Sequence, residues 1–159
     1  MQHWLLKTEP STFGVDDLQA APRKSTRWDG VRNYQARNFI RDQIKKGDEA
    51  FLYHSSCEVP GIVAIVRVIR GAYPDPTAFD RRDPHYDASS NKHAPRWFAF
   101  EIQLKRRLKR VITLPELQAH ARDELASMMI LRAGNRLSVT PIEDAHWRFI
   151  LSLEWCGSR

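Results

Sequence analysis

Apolar residues along the 159-residue chain form short runs that predict strands and longer periodic stretches that predict helices. We predict strands over residues 4–7, 50–55, 62–69, 97–104 and 109–113. The run over residues 62–69 is apolar on both faces and rich in β-branched side chains, which is typical of a fully buried central strand. The strand over residues 97–104 places four apolar side chains on one face: Phe98, Phe100, Ile102 and Leu104.

Helical spacing is clearest over residues 33–44, where one face is apolar and the other is basic. The apolar face carries Ala36, Phe39, Ile40 and Ile44, and the basic face carries Arg37, Arg41 and Lys45. We expect Gly47-Asp48 to end this helix. Further helices are predicted over residues 15–19, with Ser11 or Thr12 as the cap, and over residues 114–120, 123–131 and 141–153, with Pro141 in the first turn.

The segments between these elements predict a basic loop over residues 22–28 and a long loop over residues 73–95. A loop of the second length is uncommon in a compact domain unless it serves the function. No repeat or linker divides the chain, so we predict one domain over residues 1–159. The order of the elements predicts an α+β fold, either a strongly curved mixed sheet or an open barrel with peripheral helices. Trp147 and Trp155 are expected in its core.

Composition places the chain among ordinary globular proteins, with 42% hydrophobic and 28% charged residues. These shares exclude a collagen, a coiled coil or a mainly disordered chain. No apolar run approaches the roughly 20 residues that a membrane helix needs, and the first residues do not read as a signal peptide. Cys57 and Cys156 match no zinc spacing, so we expect reduced thiols in a cytoplasmic protein.

Charge is the first functional hint, because 25 Lys and Arg residues outnumber 19 Asp and Glu residues and give a net charge of +6. Residues 22–46 contain eight basic and two acidic side chains, and residues 105–110 contain five basic ones. Such an excess favours a polyanionic partner, because neutralising phosphates releases condensed counterions. A solvated surface is the alternative interpretation of each run taken singly.

Candidate chemistry is densest where the predicted basic loop enters the helix over residues 33–44. Trp28 and Tyr34 offer flat surfaces on which a base can stack, and Asn33 can both donate to and accept from a base edge. The alternatives are that Trp28 belongs to the core and that Asn33 is a helix cap. Trp97 is predicted either beneath a peripheral helix or as one wall of a pocket.

Other polar clusters give weaker signals. Ser55 and His54 suggest a hydrolase, but neighbouring strand residues point to opposite faces, so His85, His93 or His120 would have to supply the base. Residues 83–87 (DPHYD) offer metal ligands, although turn chemistry explains the same residues. We therefore expect no catalytic residue, no metal and no cofactor. In residues 131–139, Gly134 fits a helix C-cap, or else Arg132 and Arg136 hold a phosphate or a carbonyl group.

Several segments together resemble the EVE domain family of the PUA-like superfamily. They are residues 4–10 (WLLKTEP), 28–38 (WDGVRNYQARN), 51–55 (FLYHS), 61–64 (GIVA), 73–75 (YPD), 95–97 (PRW) and 136–139 (RLSV). The resemblance implies a PUA-like curved mixed sheet or open barrel flanked by helices. It also implies a pocket like those of YTH and SRA domains, which hold a flipped-out modified base.

Carried over residue by residue, the resemblance implies a base pocket and a set of phosphate contacts. The implied base pocket consists of Lys7, Thr8, Glu9, Trp28, Asn33, Tyr34, His54, Ser55 and Trp97. The implied phosphate contacts are Arg32, Arg37, Arg41, Arg132 and Arg136. Because the YTH cage has an aromatic residue where this chain has Arg32, a preference for methyl-adenine does not follow.

These observations predict a non-enzymatic domain that reads a modified nucleobase in DNA or RNA. The alternatives are an enzyme that acts on a nucleotide or RNA through His54, Ser55 or a loop histidine, and an interaction module that holds a small ligand. We expect nucleic acid as the partner and no membrane. The sequence leaves the oligomeric state open, and a monomer is one alternative.

Overall fold

The computed structural model describes residues 1–156, which form one mixed sheet with helices packed against it. The strands are β1 (His3–Thr8), β2 (Ser25–Trp28), β3 (Glu49–His54), β4 (Gly61–Pro74), β5 (Phe98–Thr113) and β6 (Val139–Ile142). The α-helices are α1 (Val15–Ala20), α2 (Tyr34–Asp42), α3 (Leu114–Gln118) and α4 (Asp144–Leu153). Short 3-10 turns cover Pro22–Lys24, Pro76–Phe79 and Met129–Leu131.

The six strands lie in the order β2-β5-β4-β3-β1-β6, so the sheet is open, with β2 and β6 at its edges. β1 and β3 run parallel, and the other neighbours are antiparallel. Several register shifts interrupt the pairing of β4 with β5, and such irregularities bend and twist a sheet. The predicted α+β class, the mixed sheet and the central place of β4 are confirmed.

Side chains from both faces of the sheet are buried, because helices cover both faces. Trp4 and Leu6 of β1 pack on one face with Ile40 of α2, and Leu5 packs on the other face with Trp147 of α4. All five side chains have relative exposures of 5% or less. The same alternation explains why β1 is an apolar run without a polar face.

β6 is not among the predicted strands, and β4 continues to Pro74, within the predicted loop over residues 73–95. The strand pattern differs from the prediction at two further places. Residues 25–28 are not a loop: they form β2, in which Thr26 lies opposite Ile102 and Trp28 opposite Phe100. The reason is tertiary, because β5 offers them an unpaired edge. The strands predicted over residues 97–104 and 109–113 are one continuous strand, β5, which runs through the basic residues between them.

β5 continues through residues 105–110 because acidic side chains from elsewhere neutralise its charges. Lys105 pairs with Glu49, Arg106 with Glu154, Arg107 with Asp16 and Arg110 with Glu116. The expectation that this run attracts a polyanion is therefore not supported by its surroundings, since four of its five cations have carboxylate partners. Lys109, the fifth, has its ammonium 4.0 Å from the centre of the exposed Trp155 ring.

Two helix predictions and one prediction of a core residue need correction. Residues 123–131 form successive turns ending in a 3-10 turn, because only Leu125 and Met128 are buried there and Ser127 has a φ of 68°. Pro141 lies in β6 and not in a helix; an edge strand tolerates the missing N–H. Trp155 is 62% exposed and is not a core residue, whereas Trp147 is buried as predicted.

The other helix boundaries shift slightly. The cap of α1 is neither Ser11 nor Thr12 but Gly14, whose N–H donates to the Asp17 carboxylate at 2.8 Å. α2 ends at Asp42, five residues before Gly47. Gly134 is not a helix C-cap, since the short 3-10 helix before it ends at Leu131 with Arg132 as its cap, and Gly134 lies in the turn that follows, with a φ of 75°.

The Arg106–Glu154 pair gives a test of how the sheet is stabilised. The Glu154 carboxylate is fully buried and receives hydrogen bonds from Arg106 at 2.8 and 2.9 Å, which hold its pKa below the ordinary value. Arg106→Ala leaves this carboxylate without its main partner, so the free energy of unfolding should fall by about 1–3 kcal/mol in urea denaturation. Arg70→Ala, which removes an exposed pair with Glu101, should cost only about 0–1 kcal/mol. Equal losses in the two variants would contradict this account.

Candidate functional site

A cleft of about 560 Å³ opens where the end of β1 meets the end of β2. This volume lies within the roughly 300–1,000 Å³ typical of small-molecule sites. The residues that line it come from four parts of the chain: the end of β1 and the turn after it, β2 and the turn after it, the loop that carries His85, and Ser138 just before β6. The cleft therefore exists only when these segments are assembled.

Two aromatic side chains, Trp28 and Phe13, line the cleft. The Trp28 indole is supported by the buried Phe100 ring, with ring centres 6.2 Å apart and planes inclined by 29°. Phe13 lies in the turn after β1, where its carbonyl accepts a 2.7 Å hydrogen bond from Thr8 Oγ1 and its N–H donates to the backbone carbonyl of Glu9 at 2.9 Å. Both rings are half-buried, so each offers one surface to a ligand.

The polar lining combines hydroxyl groups with charges of both signs. The hydroxyls belong to Thr8, Thr12, Thr26 and Ser138. Arg27 and Asp29 neutralise each other across 2.7 Å. Lys7 and Glu9 have no ion-pair partner within residues 1–156, which leaves one ammonium and one carboxylate available to a ligand.

The turn after β2 is fixed by the buried carboxylate of Asp75. Gly30 adopts a φ of 74°, which favours glycine, and its N–H donates to Asp75 at 2.9 Å. Arg32 donates to the same carboxylate at 2.9 Å, and Thr77 donates through its N–H and its hydroxyl at 2.8 and 2.7 Å. Burial by itself would raise the pKa of Asp75, but these hydrogen bonds outweigh it and lower the pKa below the ordinary value.

Arg32 also attaches the long loop to this turn. Its guanidinium donates to the His85 carbonyl at 3.0 and 2.6 Å, which places the His85 imidazole against Gly30 in the cleft wall. Farther along the loop, Asp87 accepts a 2.7 Å hydrogen bond from the Trp97 indole. Hydrogen bonds from Ser89 and Trp97 lower the pKa of Asp87 to about 2.

The structure brings four of the predicted base-pocket residues together and places five elsewhere. Lys7, Thr8, Glu9 and Trp28 line the cleft. The residues that do not line it are Asn33, Tyr34, His54, Ser55 and Trp97.

Three of these five have other partners around α2. Asn33 caps that helix, accepting hydrogen bonds from Gln35 and Ala36 at 2.8 and 3.1 Å. Tyr34 is exposed and packs on Trp97, with ring centres 4.9 Å apart. Trp97 is only 6% exposed, so it lies under the start of α2. This is the helix-covered alternative of the two that the sequence left open for Trp97.

His54 and Ser55 serve the backbone near the end of β1. His54 Nε2 accepts a 3.1 Å hydrogen bond from the Val15 N–H at the start of α1, and burial lowers the pKa of this imidazole. Ser55 Oγ donates to the Thr8 carbonyl at 3.4 Å. Both side chains thus have structural contacts at the rear of the turn that carries Phe13.

The five predicted phosphate contacts are in different situations. Arg32 is committed to Asp75 and the His85 carbonyl, and Arg41 pairs with its neighbour Asp42. The Arg37 guanidinium lies 4.9 Å from the Tyr34 ring centre and donates to a backbone carbonyl. Arg132 and Arg136 line a second cleft of about 350 Å³.

A model of the EVE domain family matches residues 2–153 of this chain. The chain belongs to the EVE domain family. Thymocyte nuclear protein 1 from Gallus gallus is 46% identical over 166 residues, which cover 96% of this chain and 68% of the relative. The protein of the same name from Homo sapiens is 43% identical, over 96% of this chain and 73% of the relative.

Solved structures agree with this EVE domain over nearly its whole length. Human THYN1 protein in complex with DNA containing 5-methylcytosine superposes with a TM-score of 0.90 at 42% identity, covering 97% of this chain and 98% of that one. The DUF55 domain of human thymocyte nuclear protein 1 gives a TM-score of 0.91 at 43% identity, over 98% and 99% of the two chains. A Pseudomonas syringae protein gives a TM-score of 0.88 at 42% identity, covering 96% of this chain and 99% of that one. The PUA-like fold is thereby confirmed.

Nine of the thirteen residues that line the EVE domain cleft are not among the predicted base-pocket residues, and Phe13 and His85 are the two with ring side chains. Phe13 follows a turn that contains a proline, and no local pattern distinguishes it from an apolar residue that merely packs against the start of a helix. The sequence pattern indicates His85 only as a catalytic base or a metal ligand, because its contact with Gly30 spans 55 positions and needs the folded loop. The dipeptide Asp29-Gly30 was the one available signal that a close backbone approach occurs here.

The described part of the EVE domain contains neither a cluster of metal ligands nor a helix that could span a membrane. Among residues 1–156, no group of three or more His, Cys, Asp and Glu side chains is arranged to hold a metal ion. None of the helices in that range has the length and apolar character needed to cross a bilayer.

Replacing Gly30 tests the contact between the turn and the loop. A Cβ at Gly30 would lie 2.7 Å from the His85 ring, whereas a Cβ at Gly134 would meet nothing within 4 Å at nearly the same φ. Gly134→Ala should therefore show only the backbone cost, about 1–2 kcal/mol. Gly30→Ala should lower the free energy of unfolding by more than this in urea denaturation. Adding His85→Ala to the same chain should reduce the loss to that of Gly134→Ala. An unchanged loss in the double variant would exclude the His85 contact as the cause.

Acid titration tests the Asp75 network of the EVE domain. Because the folded pKa of Asp75 is below its ordinary 3.8, the network contributes stability above that pH and loses it as the pH falls through the folded pKa. The amide signal of Gly30, which donates to Asp75, should therefore shift below about pH 3.8 in NMR spectra, whereas the indole N–H signal of Trp97, which donates to Asp87, should shift only near pH 2. Asp75→Asn should flatten the pH dependence of the Gly30 signal and leave that of Trp97, while Asp42→Asn, at an exposed pair, should leave both signals titrating as before.

Proposed function

We propose that this EVE domain binds a modified nucleobase in DNA and catalyses no reaction. The observation that carries the proposal is the cleft in which Trp28 and Phe13 accompany an unpaired Lys7 and an unpaired Glu9. It is supported by 42% identity with human THYN1 protein, whose structure contains DNA with 5-methylcytosine.

The dimensions and chemistry of the cleft suit one heterocycle taken out of a base stack. Proteins that act on a single base extrude it into a pocket, where aromatic rings replace the lost stacking. Trp28 provides a rigid surface, because Phe100 supports its indole from behind. Phe13 provides a second surface from a separate segment, so a base can be contacted from two directions.

The polar groups favour a base that carries an exocyclic amino group. A carboxylate accepts a hydrogen bond from the N4 amino group of cytosine, and thymine has no such donor. Glu9 has this capacity, whereas Asp29 is already paired with Arg27. Adenine and guanine also carry an exocyclic amino group. We favour a modified cytosine as the ligand because the human THYN1 protein is in complex with DNA containing 5-methylcytosine, and we place the Lys7 ammonium against a phosphate of the same strand.

A non-enzymatic role is supported by the contacts of the candidate acid–base groups. His54 Nε2 is occupied by the Val15 N–H, and Ser55 Oγ donates to a backbone carbonyl. Neither side chain lines the cleft, and the loop histidine that does line it, His85, has its Nδ1 3.1 Å from Asp83 Oδ1. A nucleophile–base pair needs both groups within hydrogen-bond reach of each other and open to substrate.

Substituting the aromatic walls tests the proposal. Stacking on an aromatic side chain contributes about 1–3 kcal/mol per base, so Trp28→Ala and Phe13→Ala should each weaken binding of an oligonucleotide with one 5-methylcytosine by roughly 5- to 150-fold. The measurement is fluorescence anisotropy with labelled DNA, alongside an unmodified strand and the matching RNA. Trp155→Ala removes an exposed indole outside the cleft and should leave the affinity unchanged.

Glu9→Ala provides a variant at an exposed position that should not disturb folding. We expect it to reduce the preference for cytosine derivatives over thymine while general affinity for DNA remains. Equal binding by the wild type, Trp28→Ala and Phe13→Ala would refute the assignment of this cleft. Tighter binding of the RNA strand than of the DNA strand would identify RNA as the ligand. Product formation in single turnover would show that the domain is an enzyme.

A further inference from the structure

A second cleft, of about 350 Å³, adjoins the aromatic one. The two share a border along the chain, because Ser138 lines the first cleft and Leu137 lines the second. On the opposite side, Val31 lines the first and Asn33 lines the second. The residues that line the two clefts are therefore neighbours along the chain in both of these segments.

The second cleft differs from the first in its charge. It is lined by Arg132 and Arg136, both exposed, and neither has an ion-pair partner within residues 1–156. Within residues 1–156, the one hydrogen bond of the Arg132 guanidinium is a 3.4 Å contact with the Ser127 carbonyl. This contrasts with Arg106 and Arg110, whose charges are already neutralised by carboxylates.

The backbone around the two arginines is held in place and remains accessible. The Asn135 side chain accepts from the Leu137 N–H at 2.8 Å and donates to the Met129 carbonyl, which closes the turn upon itself. Gly134, between the arginines, has open space on its side-chain face. Gly134 thus places no side chain in the way of a phosphate that approaches this turn.

We propose that this second cleft binds the nucleotide next to the one whose base enters the aromatic cleft, by contacting its phosphodiester. Guanidinium groups donate two parallel hydrogen bonds to phosphate oxygens, which is why arginine is favoured at phosphate sites. The proposal rests on the proposed function, because the first cleft must hold the base for its neighbour to reach Arg132 and Arg136. The unit that this domain recognises is then at least a dinucleotide, and not an isolated nucleoside.

A ligand-length series on the full chain tests the subsite. The ligands are 5-methyl-2′-deoxycytidine, the dinucleotides with one unmodified neighbour on either side, and the trinucleotide with both neighbours. The proteins are the wild type, Arg132→Ala/Arg136→Ala and Lys45→Ala/Lys46→Ala. The last variant removes two exposed charges beyond the far end of α2 and is the charge-matched control. NMR titration gives the dissociation constants and shows that each variant is folded.

The wild type and the control should bind one of the dinucleotides at least tenfold more tightly than the nucleoside. Arg132→Ala/Arg136→Ala should lose this gain and keep its affinity for the nucleoside within twofold. Its affinity for the trinucleotide should also depend less on salt, with a slope smaller by about 0.7 for each lost phosphate contact on a single strand.

The outcomes separate the two proposals. If the double arginine variant keeps the tenfold gain, the subsite is overturned while the base cleft stands. If the lysine control loses as much of the gain in affinity as the arginine variant, the gain comes from the general positive charge of the domain and the subsite is again overturned. If the wild type binds neither the nucleoside nor the trinucleotide, the proposed function itself fails, and the subsite fails with it.

Discussion

The buried carboxylate of Asp75 is the interaction on which the candidate site depends. A carboxylate with no exposed surface persists only where charges and hydrogen bonds compensate its lost hydration. Its partners Gly30 and Arg32 belong to the turn after β2, and Thr77 belongs to the loop after β4. One residue therefore fixes the distance between two walls of the cleft, and Arg32 extends the connection to the His85 carbonyl.

Charge in this EVE domain is divided between two uses. Along β5, arginines pair with carboxylates and hold the sheet against α3 and the end of α4, so their fields are largely cancelled at a distance. Around the two clefts, Lys7, Arg132 and Arg136 have no such partner among the described residues. The position of the unpaired cations, more than the net charge of +6, indicates where an anion would bind.

The two clefts together have the polarity of a nucleotide. The larger one offers aromatic surfaces at Trp28 and Phe13, and the smaller one offers guanidinium groups. A nucleotide has the same division between a flat, weakly polar base and a charged backbone. This correspondence is the reason for assigning the clefts to neighbouring parts of one strand. The arginines would contact the backbone whatever its sequence, and Glu9 would contact the edge of the base.

The sequence by itself determined the features that depend on neighbouring residues: the apolar alternation of β1, the buried run of β4, the two faces of α2, and the motif that contains Lys7 to Glu9 and Trp28. Tertiary structure alone decided that residues 25–28 pair as a strand, that Phe13 and His85 enter the cleft, and that Trp97 lies under α2. The reason is the separation of the contacting residues along the sequence. Periodicity indicates contacts within a few positions, whereas Gly30 contacts Asp75 across 45 positions and Arg32 contacts His85 across 53. Only the complete fold brings such distant residues together.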